Sequence, residues 1–238
     1  MPDVRLSVPC DFKWAHADNY VAIPRVRTMG VVVHSTGGPG DTLEEEYDGT
    51  NNHFQNPASE VSAQRVIGPV RVNFCVPDNM RAQHARQFCN DNWLGIELVK
   101  PARPPFTLQD YTDFQYAAAA EQTARWWLEY GQFPIERVFS QYTPGLVAHK
   151  DTEAGKIDKK IDPIGLFSFT RYIRETKAWV ERLIMDYEVE IYQPIEVIKR
   201  KLEKSPHQAD KAYAIALHHD RDVHKEWLKA AKAAGIVD

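Results

Sequence analysis

The sequence predicts an α/β protein followed by a helical tail. Short β-branched runs alternate with helical stretches over residues 28–169, and two of those runs, Met29–Val33 and Gly145–Ala148, each stop at a histidine. After residue 169 almost every remaining signal is helical. This alternation is the pattern of a sheet with helices laid on it.

The elements follow in order. Residues 1–27 are punctuated by proline and read as an N-terminal arm lying on the main domain. Met29–Val33 is a buried strand, because its run of valines leaves no polar face. In Asp41-Thr-Leu-Glu-Glu45, Thr42 and Glu45 have the spacing of a capping box. The helix it opens is expected to run into Tyr47 and break at Asp48-Gly49. Val61–Val76, interrupted by Gly68-Pro69, reads as a hairpin. Leu94–Val99 is a short strand carrying one carboxylate, Glu97, and ending at Pro101–Pro105. From Leu108 to Tyr130, apolar residues recur at near-helical spacing, and Gly131 is a C-terminal stop. Gly145–Ala148 is a further strand, followed by a loop rich in Lys and Asp as far as Asp162-Pro163. Helices are expected at Arg171–Met185, Ile195–Glu203, Ser205–His219 (capped by Ser205, with Pro206 in the first turn) and Asp222–Ala234. The division is therefore an arm over 1–27, a main domain over 28–169 and a helical region over 170–238.

Bulk properties exclude several classes. A formal net charge of −4 gives no general attraction to nucleic acid or to an anionic membrane. No apolar run is long enough to span a bilayer, so membrane insertion is not expected. Cys10, Cys75 and Cys89 form no disulfide framework, which fits synthesis in a reducing compartment, and Cys75 and Cys89 read as small core residues. The first residues lack a basic stretch followed by an apolar core, so a secretory signal peptide is not expected and synthesis in the cytoplasm is.

Chemistry centres on His34 and His149. A neutral imidazole at a strand end is fixed by the strand and faces a loop that can leave a coordination site open. A single such histidine is more often a packed or surface residue, so a third ligand is required. The loop after His149 offers Asp151, Glu153, Asp158 and Asp162. Glu97 sits inside Leu-Gly-Ile-Glu-Leu-Val and is costly to bury unless paired or functional. Beside a metal ion it could act as a general base, although a half-exposed strand would let it face solvent. Lys160, two residues before Asp162, would bring a positive charge to the same place, although spacing alone favours one more solvated lysine.

Several segments occur in one order: Val-Val-Val-His-Ser-Thr-Gly-Gly, Phe54-Gln-Asn-Pro-Ala-Ser-Glu-Val-Ser-Ala63, Val76-Pro-Asp78, Gln83-His-Ala85, Leu94-Gly-Ile-Glu-Leu98 and His149…Asp162-Pro163. Together they resemble the zinc-dependent N-acetylmuramoyl-L-alanine amidases, the fold also used by phage lysozyme-type amidases and peptidoglycan recognition proteins, over residues 28–169. The resemblance implies a mixed central sheet flanked by helices with the metal at one edge. It implies Zn2+ held by His34, His149 and Asp162, Glu97 as catalytic carboxylate, and Lys160 as the oxyanion-stabilising lysine. It places His84 on the substrate cleft and leaves His53 as a cleft-wall candidate, although a surface histidine is the plainer reading there. The implied substrate is peptidoglycan or a soluble muropeptide, cut between N-acetylmuramic acid and L-alanine.

Three departures from the family pattern stand out. Gln64-Arg65 replaces a common His-Tyr, Gln83 replaces a tryptophan, and the loop before Asp162 is longer and contains a rival Lys156-Ile-Asp158. Within this resemblance a phage endolysin acting on the wall, with residues 170–238 as a wall-binding or packing appendage, is favoured over a cytoplasmic recycling amidase. A non-catalytic binding module is the remaining alternative. The cluster His218-His219…His224 lacks the spacing of a helical metal pair and reads as solvated.

Overall fold

Each strand next to Met29–Val33 has to supply a parallel apolar partner, and the sheet is built accordingly. The computed structural model describes residues 6–131, 133–187, 225–233 and 235–236. The strands are β1 (Cys10–Asp11), β2 (Tyr20–Pro24), β3 (Gly30–Ser35), β4 (Arg65–Ile67), β5 (Val72–Phe74), β6 (Met80–Ala82), β7 (Leu94–Leu98), β8 (Arg137–Val138) and β9 (Gly145–Ala148). The helices are α1 (Leu43–Gln55), α2 (Arg86–Asn92), α3 (Asp113–Tyr130), α4 (Glu153–Ile157) and α5 (Phe169–Tyr187). The main sheet has the order β1-β5-β4-β7-β3-β9-β8, and β2 pairs with β6 in a separate ribbon. Within the main sheet β4 and β5 are antiparallel, as the Gly68-Pro69 hairpin requires, and the other pairs are parallel. The expected mixed α/β architecture is the one observed.

Helices cover both faces of this sheet. Arg65 and Val66 are successive residues of β4 and so point to opposite sides. Arg65 reaches Gln122 of α3, whereas Val66 packs in a core with Tyr47 and Phe54 of α1. Strand β3 is buried throughout its length, which explains its lack of a polar alternation.

The sequence misplaces the end of α1. The Thr42–Glu45 capping box forms as expected, but the helix passes through Asp48-Gly49 and ends at Gln55. A helical glycine costs only about 1 kcal/mol relative to alanine. Burial of Tyr47, Asn51 and Phe54 along one face outweighs that cost. The N-terminal residues do more than lie on the domain, because β1 is an edge strand of the main sheet and pairs with β5. Strands β6 and β8 and helices α2 and α4 are too short to show a period. Helix α3 begins at Asp113 rather than near Leu108, under a second capping box made by Thr112 and Gln115.

The chain divides into two compact units, Met1–Thr176 and Lys177–Asp238. In the second unit the C-terminal part of α5 and residues 225–233 are helical. The helices expected at Ile195–Glu203 and Ser205–His219, and the cluster His218-His219…His224, lie outside the described residues. Among the described residues no helix is long and apolar enough to cross a membrane.

Candidate active site

Strand register assembles the site. His34 on β3 is paired with Glu97 on β7, so the two side chains leave the sheet on the same face. On the other side of β3, Val33 is paired with Ala148, which puts His149 just past the carboxyl end of β9. Three adjacent parallel strands thus deliver His34, Glu97 and His149 to one place, as ligand-bearing groups are delivered in open α/β sheets. The cluster lies at the carboxyl ends of β7, β3 and β9, and β9 is the neighbour of the edge strand β8.

Asp162 is carried in by the loop. Its carbonyl accepts from Lys150 N at 3.1 Å. The next turn is pinned where Ile164 N donates to Ser35 Oγ at 2.9 Å and Tyr111 Oη donates to Ile164 O at 2.7 Å. Gly155 is required behind His149, because a Cβ there would stand 1.9 Å from the His149 carbonyl oxygen. Asp162 Oδ2 lies 3.0 Å from His149 Nδ1 and 3.4 Å from His34 Nδ1. One donor atom from each of His34, His149 and Asp162 falls within 4.8 Å of the others, and all three residues are buried. The rival Asp158 is exposed and pairs with Arg86 away from this cluster.

The electrostatics follow from burial. Burial, reinforced by the neighbouring His149 charge, pushes the His34 imidazole down to about 4, so it is neutral near pH 7. Burial works against ionisation of Asp162, but the hydrogen bond with His149, with His34 close by, outweighs it and holds the carboxyl well below the usual carboxylate range. Glu97 is pushed the other way, first by burial and then by the Asp162 charge. Its Oε1 is 3.9 Å from His34 Nδ1, and its buried Oε2 has no hydrogen-bond partner.

A cleft of about 1050 Å³ opens over these groups. The Gly37–Gly40 loop, α1, and the Lys159–Ile161 segment wall it. The glycine loop is tied to α1 because Gly38 N and Gly40 N both donate to the buried Glu46 carboxylate, at 2.7 and 3.1 Å. Lys160 is exposed on the cleft wall, and its charge acts on both His34 and Glu97. His53 is exposed on α1 and also lines the cleft.

His84 borders the cleft too, yet both its ring nitrogens face protein atoms. Nδ1 is 3.1 Å from His34 Nε2 and Nε2 is 3.3 Å from the Trp93 carbonyl. The sequence reading missed this contact. It also missed the task of the Gln64-Arg65 pair. Gln64 brackets Gly95, donating from its own N to Gly95 O and accepting from Gly95 N at its side-chain oxygen. Arg65 is 2% exposed, bonded to Gln122 and Asp78, with its guanidinium 3.7 Å from the Phe74 ring centroid. Both pack within the fold, and neither lines the cleft. The sequence signal for the His84–His34 contact was Gly95, a residue without a side chain in the strand beside His34.

Two histidines and a carboxylate that could hold a metal ion converge at a cleft floor, beside a glutamate with one unpartnered oxygen, and such an arrangement suits an open site rather than a closed structural one. The particular family is equally plain. The chain belongs to the N-acetylmuramoyl-L-alanine amidase family, whose sequence profile matches residues 25–165, more than half of its length. Its reaction is hydrolysis of the peptidoglycan amide between N-acetylmuramic acid and L-alanine. Among solved structures it is similar to the Staphylococcus aureus hydrolase AmiA in complex with its ligand, at 16% identity and TM-score 0.50, covering 76% of this chain and 86% of that one. It is also similar to a mutant endolysin from Bacillus subtilis, at 17% identity and TM-score 0.49, covering 71% and 99%. The amidase LysC from Clostridium intestinale gives 14% identity and TM-score 0.44, covering 72% and 97%. No curated protein sequence matches significantly.

Proposed function

We propose that His34, His149 and Asp162 hold a zinc ion, that Glu97 and Lys160 carry the proton and charge transfers, and that the protein acts lytically on intact peptidoglycan. The observation that supports this reading best is the convergence of three buried donors, one of them an ionised carboxylate, next to the unpartnered Glu97 Oε2. Nitrogen and carboxylate donors are the set that suits zinc. A buried carboxylate oxygen with no partner costs free energy unless a cation or a reacting proton completes it.

When bound, zinc supplies Lewis acidity and brings the pKa of a coordinated water to about 7. Glu97 then takes the proton of the attacking water on its free oxygen and hands it to the departing L-alanine nitrogen. The Lys160 ammonium faces the developing oxyanion from the cleft wall. Asp162 and the two histidines keep the site closed to bulk water from below. Gly37–Gly40 and His53 line the cleft in which the substrate would lie.

The lytic role rests on the second unit, Lys177–Asp238, which provides chain beyond the catalytic unit for attachment to the wall. Comparing release from purified sacculi with cleavage of soluble muropeptides tests it. Efficient release from sacculi, reduced by truncation after Tyr187, supports a lytic enzyme with a wall-binding appendage. Cleavage of muropeptides alone would assign the recycling role instead.

A further inference from the structure

We propose that His84 is a positioning residue that fixes the tautomer of His34, leaving His34 Nδ1 as the bare lone pair that faces Asp162 and His149. The inference rests on the reading of His34 as a metal ligand, and it goes beyond the cleft-wall role that resemblance assigns to His84.

Hydrogen-bond direction dictates the chain of roles. The Trp93 carbonyl can only accept, so His84 Nε2, 3.3 Å away, carries a hydrogen. A neutral His84 then has its lone pair on Nδ1. His34 Nε2 lies 3.1 Å from that lone pair and must be the donor. A neutral His34 protonated on Nε2 has its lone pair on Nδ1, the atom 3.4 Å from Asp162 Oδ2. A doubly protonated His84 would bury a charge with no carboxylate partner on either ring nitrogen, beneath a cation site, which excludes that alternative.

The fold makes room for this relay. Gly95 lies two residues before Glu97 on β7, on the same face, and is paired with Val32, two residues before His34. A Cβ on Gly95 would stand 2.9 Å from His84 Cγ and 3.1 Å from His84 Nδ1. The His84 ring therefore occupies the place of a missing Gly95 side chain. The rings of His34 and His84 meet edge-on, with centroids 5.2 Å apart and an interplanar angle of 90°, which points the His34 Nε2–H at its acceptor. At the backbone, His84 N and Ala85 N both donate to Asn90 Oδ1 at 3.0 Å, which holds the residue at the start of α2. Outer hydrogen bonds of this kind typically contribute 10- to 100-fold in metal affinity.

The test uses the full chain labelled with 15N histidine and freed of metal. Long-range 1H–15N correlation should show both His34 and His84 protonated on Nε2. Protonation of His34 on Nδ1 would overturn the proposal. Zinc affinity, measured by competition with a chromophoric chelator, should fall roughly 10- to 100-fold in His84→Leu. It should return to within a few-fold of wild type in His84→Asn, whose Oδ1 can accept where Nδ1 did. Equal affinity of folded His84→Leu and wild type would also overturn it. If His84→Leu does not fold, the wild-type spectrum still decides. A wild-type chain that shows the Nε2 tautomer yet binds no zinc would refute the metal reading and leave the tautomer relay standing.

Discussion

Replacing Glu97 with glutamine should inactivate the enzyme and stabilise the metal-free chain. Glu97 Oε2 is buried and unpartnered, and burial together with the Asp162 charge raises its pKa well above the ordinary carboxylate value. An unsatisfied buried polar group costs about 1–3 kcal/mol, and more when charged. Glutamine keeps the shape and a polar atom at that position but removes the charge, so it should recover the extra cost of a charged over a neutral buried group, about 1–3 kcal/mol at pH 7. At roughly 2–4 °C per kcal/mol for a chain of this size, the gain is readable in a thermal melt. The sign with pH is fixed. A carboxyl with a raised folded pKa is not penalised below about pH 4.5, where folded and unfolded chains are both protonated. The penalty grows as pH rises from there through the folded pKa. The variant's advantage should therefore be largest at neutral pH and vanish by about pH 4.5. With zinc bound, the cation offsets the penalty and the advantage should shrink. Hydrolysis should fall by about 100-fold or more, the usual contribution of a general base. Melts in chelator at pH 7 and pH 4.5, run beside an amide-hydrolysis assay, give every quantity needed. A metal-free variant that melts below wild type at pH 7, or one that keeps full activity, would refute the reasoning.

Other variants separate binding from chemistry. Asp162→Ala should abolish zinc binding in a chelator competition, whereas Asp158→Ala, altering only an exposed pair with Arg86, should leave it unchanged. Lys160→Ala should keep zinc affinity but lower the hydrolysis rate by about 100-fold, as expected for loss of an oxyanion donor. Arg65→Ala should lower stability in urea unfolding by about 3–5 kcal/mol, because it leaves Asp78 and Gln122 without their buried partner.

The site was more legible than its support. The strand ends at His34 and His149 announced themselves because a buried strand must alternate or be wholly apolar, and a histidine ends either pattern. Choosing Asp162 over Asp158 needed the resemblance, since both lie in one charged loop and no period separates them. His84 was visible as a motif but not as a partner of His34, because that contact depends on the space above Gly95, created only when β3 and β7 pair in register. The capping boxes at Thr42 and Thr112 show opposite sides of the same lesson. The first was read directly, but the helix end behind it was not, because burial of Phe54 is a tertiary term. The second was missed under a broader helical stretch. Gln64 and Arg65 looked like departures near the catalytic centre, and are instead the buried clamps of β7 and α3.

Whether this cluster hydrolyses the muramoyl–alanine amide with zinc is decided by product analysis on purified sacculi. Incubation should release new L-alanine amino termini without new reducing sugar ends. That release should disappear on chelation and return when zinc is added back. New reducing ends, or amino-terminal release untouched by chelation, would contradict the account.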